Sequence, residues 1–416
     1  MDETAWYRLD NVGKFYASQA GSPTQTVFRY SATMSDPVDG IDLQYALDRA
    51  LEVYPSFNVR LRSGFFWHYL EQSYDAPAVV EEDIPICHGL HANEKSVLFR
   101  VSYYDRRINL EISHIVSDGR GTLDFFKALI IAYIQRCYDC PKSDIAPFST
   151  DAQKLENSFD VNYDRSLAAP TKKPRVFHIR SPKRELSPTY LEYHTSAASV
   201  LSLARSFEVS LTSLIIATVI CAIRSEMNGH DRSKTIRLDI PVDLRKYFGS
   251  STTKNFFGLA FVEYEPGTAD EPVGTVAKNV QRQVQAGTTI ETLQRRMNQM
   301  IALEKNPLLR FAPVFVKDRV LKIAGKITSG DVTATVSSLG VIGFPDYASS
   351  RIENVNVLTS PEGLNFTVCS CKDDLCLGIS TSLTNLSVIR NLCRILKDLG
   401  IEGIVNISRE DDDDEM

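Results

Sequence analysis

The stretch Ile112–Gly119 reads ISHIVSDG and sets a histidine, an aspartate and a glycine in the pattern His-x-x-x-Asp-Gly. The residues before it, Ile108–Ser113, have the apolar composition of a β-strand, so His114 follows the end of that strand. A side chain at a strand end projects from a rigid frame. Its pKa of about 6.5 suits histidine to act as a general base at neutral pH. We therefore take His114 as the candidate catalytic residue.

The aspartate and the glycine of this stretch lie where the next element begins. Leu123, Phe126 and Ile130 recur at helical spacing, so Asp118 is placed to cap a helix or to form an ion pair. Gly119 allows a tight turn or a positive φ angle. The alternative from these residues alone is a histidine bonded to backbone and an aspartate that only caps the helix.

Two later stretches also contain candidate site residues. Residues Asp239–Arg245 read DIPVDLR, and Asn255–Gly258 follow as NFFG. Ser337–Gly340 read SSLG at the end of another predicted strand. No GxGxxG or Walker pattern occurs, so nothing in the sequence favours nucleotide binding.

In this order, the three stretches resemble the motifs of the condensation-domain and alcohol-acetyltransferase superfamily. The resemblance extends over nearly the whole chain. It implies an α/β fold of mixed α+β sheets, the two-lobed chloramphenicol-acetyltransferase-like fold with a tunnel between the lobes. It also implies an acyltransferase that moves an acyl group from a thioester, here expected to be acyl-CoA, to an alcohol or amine. Acyl-CoA is then a co-substrate, and no metal, flavin or nucleotide cofactor is expected.

The resemblance also implies roles for single residues. His114 would be the general base, and Asp118 would pair with Arg245 of the second lobe and hold the lobe interface. Gly119 would keep the loop open to the thioester. Many relatives carry a second histidine where this chain has Ser113, and asparagine is common at the position of Ser338. The remaining candidates for oxyanion or tunnel contacts are Ser337, Ser338 and Asn255.

Two alternatives remain open. One is a non-catalytic binding module of the same fold, although the intact His114, Asp118 and Gly119 argue against lost catalysis. The other is a condensation enzyme that takes its acyl group from a carrier protein. It would use the same residues with a different donor.

The length and the composition predict a lobed arrangement. A chain of 416 residues suggests two domains, which we place at residues 1–165 and 190–408. A proline-containing crossover, 166–189, joins them, and the acidic residues 409–416 form a solvated tail. Basic residues crowd the crossover and are either solvated or a docking strip for a thioester donor: Lys172, Lys173, Arg175, Arg180, Lys183 and Arg184.

The charge excludes some partners. Lys+Arg 46 against Asp+Glu 52 gives a net charge of −6, which speaks against nucleic acid and against an anionic membrane surface. The most apolar run, Leu211–Ile223, is too short for a membrane span of about 20 residues. The N-terminus lacks a secretory signal pattern, so we expect a cytoplasmic protein with reduced cysteines. A monomer would suffice, and the cysteine spacing predicts no metal site.

Some predictions concern single strands, helices and side-chain clusters. Residues 1–35 are expected to be irregular except for a strand at Thr26–Thr33. Ser199 is expected to cap a helix through Phe207, and Leu211–Met227 a second, buried helix. The aromatic cluster at Phe65–Tyr69 is expected in the core or on the lobe surface, with a tunnel wall as the alternative.

Overall fold

The structure is a computed structural model, in which the described residues are 5–20, 26–75, 77–88, 90, 96–140, 155–164, 174–184, 187–267, 269–302, 304–305, 309, 311–361 and 363–408. Strands and helices interleave, and the strands form three sheets. Two large hydrophobic cores lie on these sheets and define two lobes.

The first lobe contains a five-stranded sheet in the order β12-β2-β7-β6-β5 and a three-stranded sheet in the order β1-β4-β3. Its strands are β1 Trp6–Arg8, β2 Val27–Met34, β3 Val59–Ser63, β4 His68–Gln72, β5 Val80–Glu81, β6 Phe99–Tyr104 and β7 Arg107–Ser113. Its helices are α1 Asn11–Ser18, α2 Gly40–Val53 and α3 Gly119–Cys137. The predicted strand before His114 is confirmed as β7, which forms a hairpin with β6, with Asp105 at a positive φ of 48° in the turn.

The second lobe contains a seven-stranded mixed sheet in the order β10-β9-β11-β13-β14-β8-β15. The strands after β7 are β8 Thr189–Ser196, β9 Ile236–Asp243, β10 Phe257–Tyr264, β11 Ala334–Val341, β12 Ile352–Thr359, β13 Leu364–Cys371, β14 Asp374–Thr381 and β15 Gly403–Ser408. All of them except β12 belong to this sheet. The helices from residue 158 onward are α4 Ser158–Val161, α5 Ala197–Ser206, α6 Leu211–Arg224, α7 Arg245–Phe248, α8 Val273–Gly287, α9 Ile290–Ala302, α10 Val314–Ser329, α11 Asp346–Ser349 and α12 Ser387–Asp398. The helix α6 is apolar on nearly all sides and is buried in this core.

The lobes placed from the sequence at residues 1–165 and 190–408 stay predictions. Three segments of the structure pack across these boundaries. The strand β12 joins the first-lobe sheet by pairing with β2. Phe159, before the crossover, packs with Phe256 of the second half. Phe177, within the crossover, is buried in the second-lobe core. Two of the basic crossover residues, Lys172 and Lys173, and the tail 409–416 lie outside the described residues.

Other local predictions need correction. The N-terminal region is not irregular, because it contains β1 and α1. Ser196, not Ser199, caps α5: its Oγ accepts from the Ser199 backbone N–H at 3.1 Å because β8 runs directly into the helix. The helix α6 ends at Arg224 rather than Met227.

The described residues contain no single helix that is long and apolar enough to cross a membrane. Only α5 and α6 taken together reach that length and composition, and they are bent by 85° where they meet.

Candidate active site

His114 lies directly after β7, and its backbone N–H donates to Thr26 O at 3.0 Å. Three aromatic side chains surround its ring. Tyr16 stacks on it at 4.8 Å between ring centroids, Phe28 lies at 4.7 Å and Phe257 at 6.2 Å. This burial lowers the pKa of His114, against the opposing effects of Asn255, Asp118 and the Ser117 backbone. The ring is therefore mainly neutral at neutral pH, as a general base must be.

A hydrogen-bond chain from Asp10 through Asn255 fixes the orientation of the His114 ring. The Asn255 Nδ2 group donates to Asp10 Oδ2 at 3.1 Å and to the His114 carbonyl at 3.0 Å. Both Nδ2 protons then point away from the ring, so Asn255 Oδ1 is the atom that faces His114 Nδ1, at 3.3 Å. An amide oxygen only accepts. The proton of the neutral imidazole therefore lies on Nδ1, and Nε2 carries the lone pair.

Asp10 is a buried carboxyl group at the start of α1. Its Oδ1 accepts from the Gly13 backbone N–H at 2.7 Å, and its Oδ2 also accepts from the Asn255 backbone N–H at 3.2 Å. Burial raises the pKa of Asp10 to about 6, although these hydrogen bonds and the charge of Lys254 oppose the rise. Asp10 thus accepts hydrogen bonds from both the backbone N–H and the side-chain amide of Asn255, which keeps Asn255 beside His114.

Asp118 does not bond to the His114 ring but joins the two halves of the chain. Its carboxylate forms a two-pronged ion pair with Arg245, with both N–O distances 3.0 Å. It also caps α3 by accepting from Gly121 N, and it accepts from Phe256 N, each at 2.7 Å. Four donors thus satisfy a buried carboxylate, two of them from a charged guanidinium. The predicted pairing of Asp118 with Arg245 is found in the structure.

The segment 252–256 holds Arg245 from the other side. Arg245 donates from Nε to Thr252 O at 2.7 Å and from Nη2 to Lys254 O at 2.5 Å. The same segment packs closely against the start of α3, where a Cβ at Gly121 would lie 2.1 Å from Thr253 O. Gly121 is therefore required for the close approach of the two halves.

Gly119 is the first residue of α3, and its φ angle is not positive. Of the two explanations for this glycine, the positive φ is therefore wrong. A Cβ here would lie 3.2 Å from the Leu339 side chain, so the end of β11 comes close to the motif. Ser338, next to Leu339, contacts Thr212 through the hydroxyl groups at 3.2 Å. Ser337 pairs with Thr367 in the sheet.

The sequence did not single out Asp10, Tyr16 or Gly121. The signal for Asp10 is an N-cap aspartate followed three residues later by Gly13, a pattern that many helix starts share. Asn255 was a candidate for an oxyanion or tunnel contact, whereas the structure places it against the histidine ring. Among the described residues, no group of three His, Cys, Asp or Glu side chains could hold a metal ion.

The sequence of one segment matches a known family. Residues 189–319 match PapA_C, the phthiocerol/phthiodiolone dimycocerosyl transferase C-terminus. A sequence search against curated proteins found no significant match.

Solved structures are similar over nearly the whole chain. TRI101 of F. graminearum, complexed with coenzyme A and T-2 mycotoxin, is 14% identical with a TM-score of 0.65, covering 96% of this chain and 99% of that chain. Polyketide synthase associated protein 5 from Mycobacterium tuberculosis is 13% identical with a TM-score of 0.61, covering 95% and 98%. The starter condensation domain of rhizomide synthetase RzmA is 11% identical with a TM-score of 0.58, covering 95% and 96%. The chain therefore has the two-lobed chloramphenicol-acetyltransferase-like fold that the resemblance implied.

Proposed function

We propose that this protein is an acyltransferase that moves an acyl group from a thioester to an alcohol or amine, with His114 as the general base. The observation that carries the proposal is the fixed imidazole. Asn255 accepts from Nδ1, which leaves the lone pair on Nε2, and burial lowers the pKa of the ring. A neutral histidine in a single tautomer is what proton abstraction from an acceptor requires.

In the proposed reaction, the acceptor binds with its hydroxyl or amine hydrogen toward His114 Nε2. The acceptor oxygen or nitrogen attacks the thioester carbonyl while its proton passes to Nε2. The tetrahedral oxyanion then collapses, the carbon–sulfur bond breaks, and the imidazolium returns the proton to the leaving thiolate. Atoms and charges balance without a metal, flavin or nucleotide, so we propose none.

The other site residues have supporting roles in this proposal. Asp118 and Arg245 hold the motif loop and the two lobes together through their buried ion pair. Gly119 keeps the loop narrow beside Leu339. Ser337 and Ser338 stay candidates for stabilising the oxyanion, and a tunnel between the lobes stays the expected route for both substrates.

We propose acyl-CoA as the donor, supported by the similarity in fold to TRI101, which was solved with coenzyme A. Arg175, Arg180, Lys183 and Arg184 of the crossover are candidates to bind the phosphates of the donor. A carrier protein is the second candidate donor, supported by the similarity in fold to a starter condensation domain. A cytoplasmic monomer remains our expectation.

The test measures thiol release from acetyl-CoA and longer acyl-CoAs in the presence of pooled small alcohols and amines. We expect release that depends on both acceptor and protein, and His114→Ala should lower kcat by about 10²–10⁴-fold without unfolding the protein. The matched control is His178→Ala, since His178 is an exposed histidine of the crossover.

Two outcomes would contradict parts of the proposal. Release that persists in His114→Ala would show that His114 is not the base. No release from any pair, by a folded protein that also fails to bind acyl-CoA, would favour a carrier-protein donor or a non-catalytic module.

A further inference from the structure

The helix α10 has an unusual distribution of side chains. Lys317 faces inward and is 4% exposed, the one buried side chain among those described in this helix. Phe315, on the side opposite Lys317, is 64% exposed, and Ile323 and Ile327, about 120° and 80° around the helix from Lys317, are each 61% exposed. A surface helix of a globular protein usually buries its apolar residues, so α10 is unusual: Leu321 and Ala324 are half-buried on the side of Lys317, while Ile323 and Ile327 leave an exposed apolar strip.

Polar contacts fix this orientation. Lys317 Nζ donates to Phe66 O at 2.8 Å and lies 3.3 Å from the centre of the Trp67 ring. Asp318 contacts His68 Nε2 at 3.1 Å. These polar contacts act beside the half-buried Leu321 and Ala324, and the helix cannot rotate to bury Ile323 and Ile327 without breaking them.

The exposed apolar residues continue beyond the helix. The Phe65 carbonyl accepts from Val314 N at 2.9 Å, which brings the loop before β4 to the start of α10. Phe65, Phe66 and Phe311 are exposed there. We name this combined surface of the helix and the adjoining loop the α10 face.

A basic stripe runs beside the apolar one. At 100° per residue, Arg319, Lys322 and Lys326 fall on one side of the Ile323 and Ile327 positions. The one acidic residue in the helix, Asp318, is turned toward His68. The chain carries a net charge of −6, so the basic stripe is a local reversal of the sign of the protein.

We propose that the α10 face docks on an anionic lipid surface. Exposed aromatic and aliphatic side chains beside lysine and arginine are the features by which a helix lies in a membrane interface. The negative lipid headgroups complement the basic stripe, although the net charge of the whole chain is negative. The binding would be peripheral and in the plane of the interface, and no helix need cross the bilayer.

The α10 face lies close to the candidate active site. A Cβ at Gly325 would meet the Phe15 ring at 2.9 Å, so α10 packs tightly on α1. The next residue of α1, Tyr16, stacks on His114. Docking would therefore bring a lipid surface within one helix of the candidate base, although the proposal stands independently of the proposed activity.

The test is flotation of the full chain with lipid vesicles. We expect binding to phosphatidylcholine vesicles that contain phosphatidylserine, weaker binding to phosphatidylcholine alone, and a loss of binding as salt is raised. Ile323→Ser with Ile327→Ser should weaken binding by about 10-fold or more. Arg319→Glu, Lys322→Glu and Lys326→Glu together should weaken it by about 100-fold or more.

The chain offers a matched control for each variant. Ile404→Ser with Ile407→Ser removes two isoleucines of similar exposure from β15. Arg390→Glu, Arg394→Glu and Lys397→Glu reverse three exposed charges on α12, whose apolar side is buried. Both controls should float like the wild type. Circular dichroism and the melting temperature verify that each variant is folded.

Absence of flotation with anionic vesicles at low salt would overturn the proposal, as would an equal loss in a control. A concentration-dependent dimer that Ile323→Ser with Ile327→Ser abolishes, without vesicle binding, would instead assign the face to a second copy of the chain.

Discussion

A single amide group determines what the candidate base can do. Asn255 contacts Asp10, the His114 carbonyl and the His114 ring at once. If the amide were removed, the ring could rotate or exchange its tautomer, and part of the population would present N–H instead of a lone pair to the acceptor. Asn255 is therefore a positioning residue for His114.

We expect Asn255→Ala to lower kcat by about 10²-fold with little change in KM, because the change affects proton transfer more than binding. Thiol release under saturating substrate is the measurement. Asn391→Ala is the control, since Asn391 is a half-buried asparagine that donates to Glu226 at 2.7 Å. An unchanged kcat in a folded Asn255→Ala variant would show that the amide does not set the tautomer.

At the scale of residues, the sequence was informative where chemistry lies in a short stretch. The pattern from His114 to Gly119 and the pairing of Asp118 with Arg245 could be predicted because the motifs of the superfamily that the sequence resembles include them. The contact between Asp10 and Asn255 joins residues 245 positions apart and has no motif. Spacing along a chain contains no information about such a contact.

At the scale of elements, the strands at Thr26–Thr33 and before His114 could be predicted because their residues are largely apolar and buried, and the lack of such a pattern explains two omissions. All six residues of β15 are exposed, so the strand has no buried side to leave a pattern. The helix α1 has eight residues with a glycine near its start, which gives few turns from which to recognise a period. The missed helix carries Tyr16 and is capped by Asp10, and both residues bear on the site.

A histidine between two strands of the second-lobe sheet predicts a dependence of stability on pH. His194 of β8 contacts Asp374 of β14 at 3.0 Å and Glu192 at 3.4 Å. Burial alone would lower its pKa, but the two carboxylates outweigh burial and raise the pKa of His194 to about 9. The stabilisation is therefore complete below about pH 6.5, the pKa of an unfolded histidine, and disappears as the pH rises through 9.

We expect His194→Gln to destabilise the protein by about 1 kcal/mol at pH 6, after allowance for solvent screening, and by much less at pH 10. Urea unfolding at the two pH values measures the difference. His178→Gln, at an exposed site, should show no such dependence. A destabilisation by His194→Gln that is equal at both pH values would mean that packing, not charge, is the contribution of His194.

At the scale of the whole molecule, the site depends on the relative position of the two lobes, because both lobes contribute residues to it. His114 comes from the first lobe, whereas Asn255, Phe257 and Arg245 come from the second. The Asp118–Arg245 pair, the contact at Gly121 and the strand β12 all join the halves near this site. The interface is thus part of the site, and a change that loosens the interface should affect stability and activity together.

We expect Asp118→Ala to lower the free energy of unfolding by about 3 kcal/mol, because it removes the two-pronged partner of the buried Arg245 and leaves Asp243, at 3.1 Å, as its remaining carboxylate partner. It also removes the cap of α3 and the acceptor for Phe256 N, so the motif loop and segment 252–256 lose their shared anchor. Urea unfolding and thiol release should therefore decline in the same variant. Glu291→Ala, which breaks the exposed pair with Arg295, should cost less than about 1 kcal/mol and leave activity intact. A fully stable Asp118→Ala variant that lost activity alone would instead assign Asp118 a direct part in the chemistry.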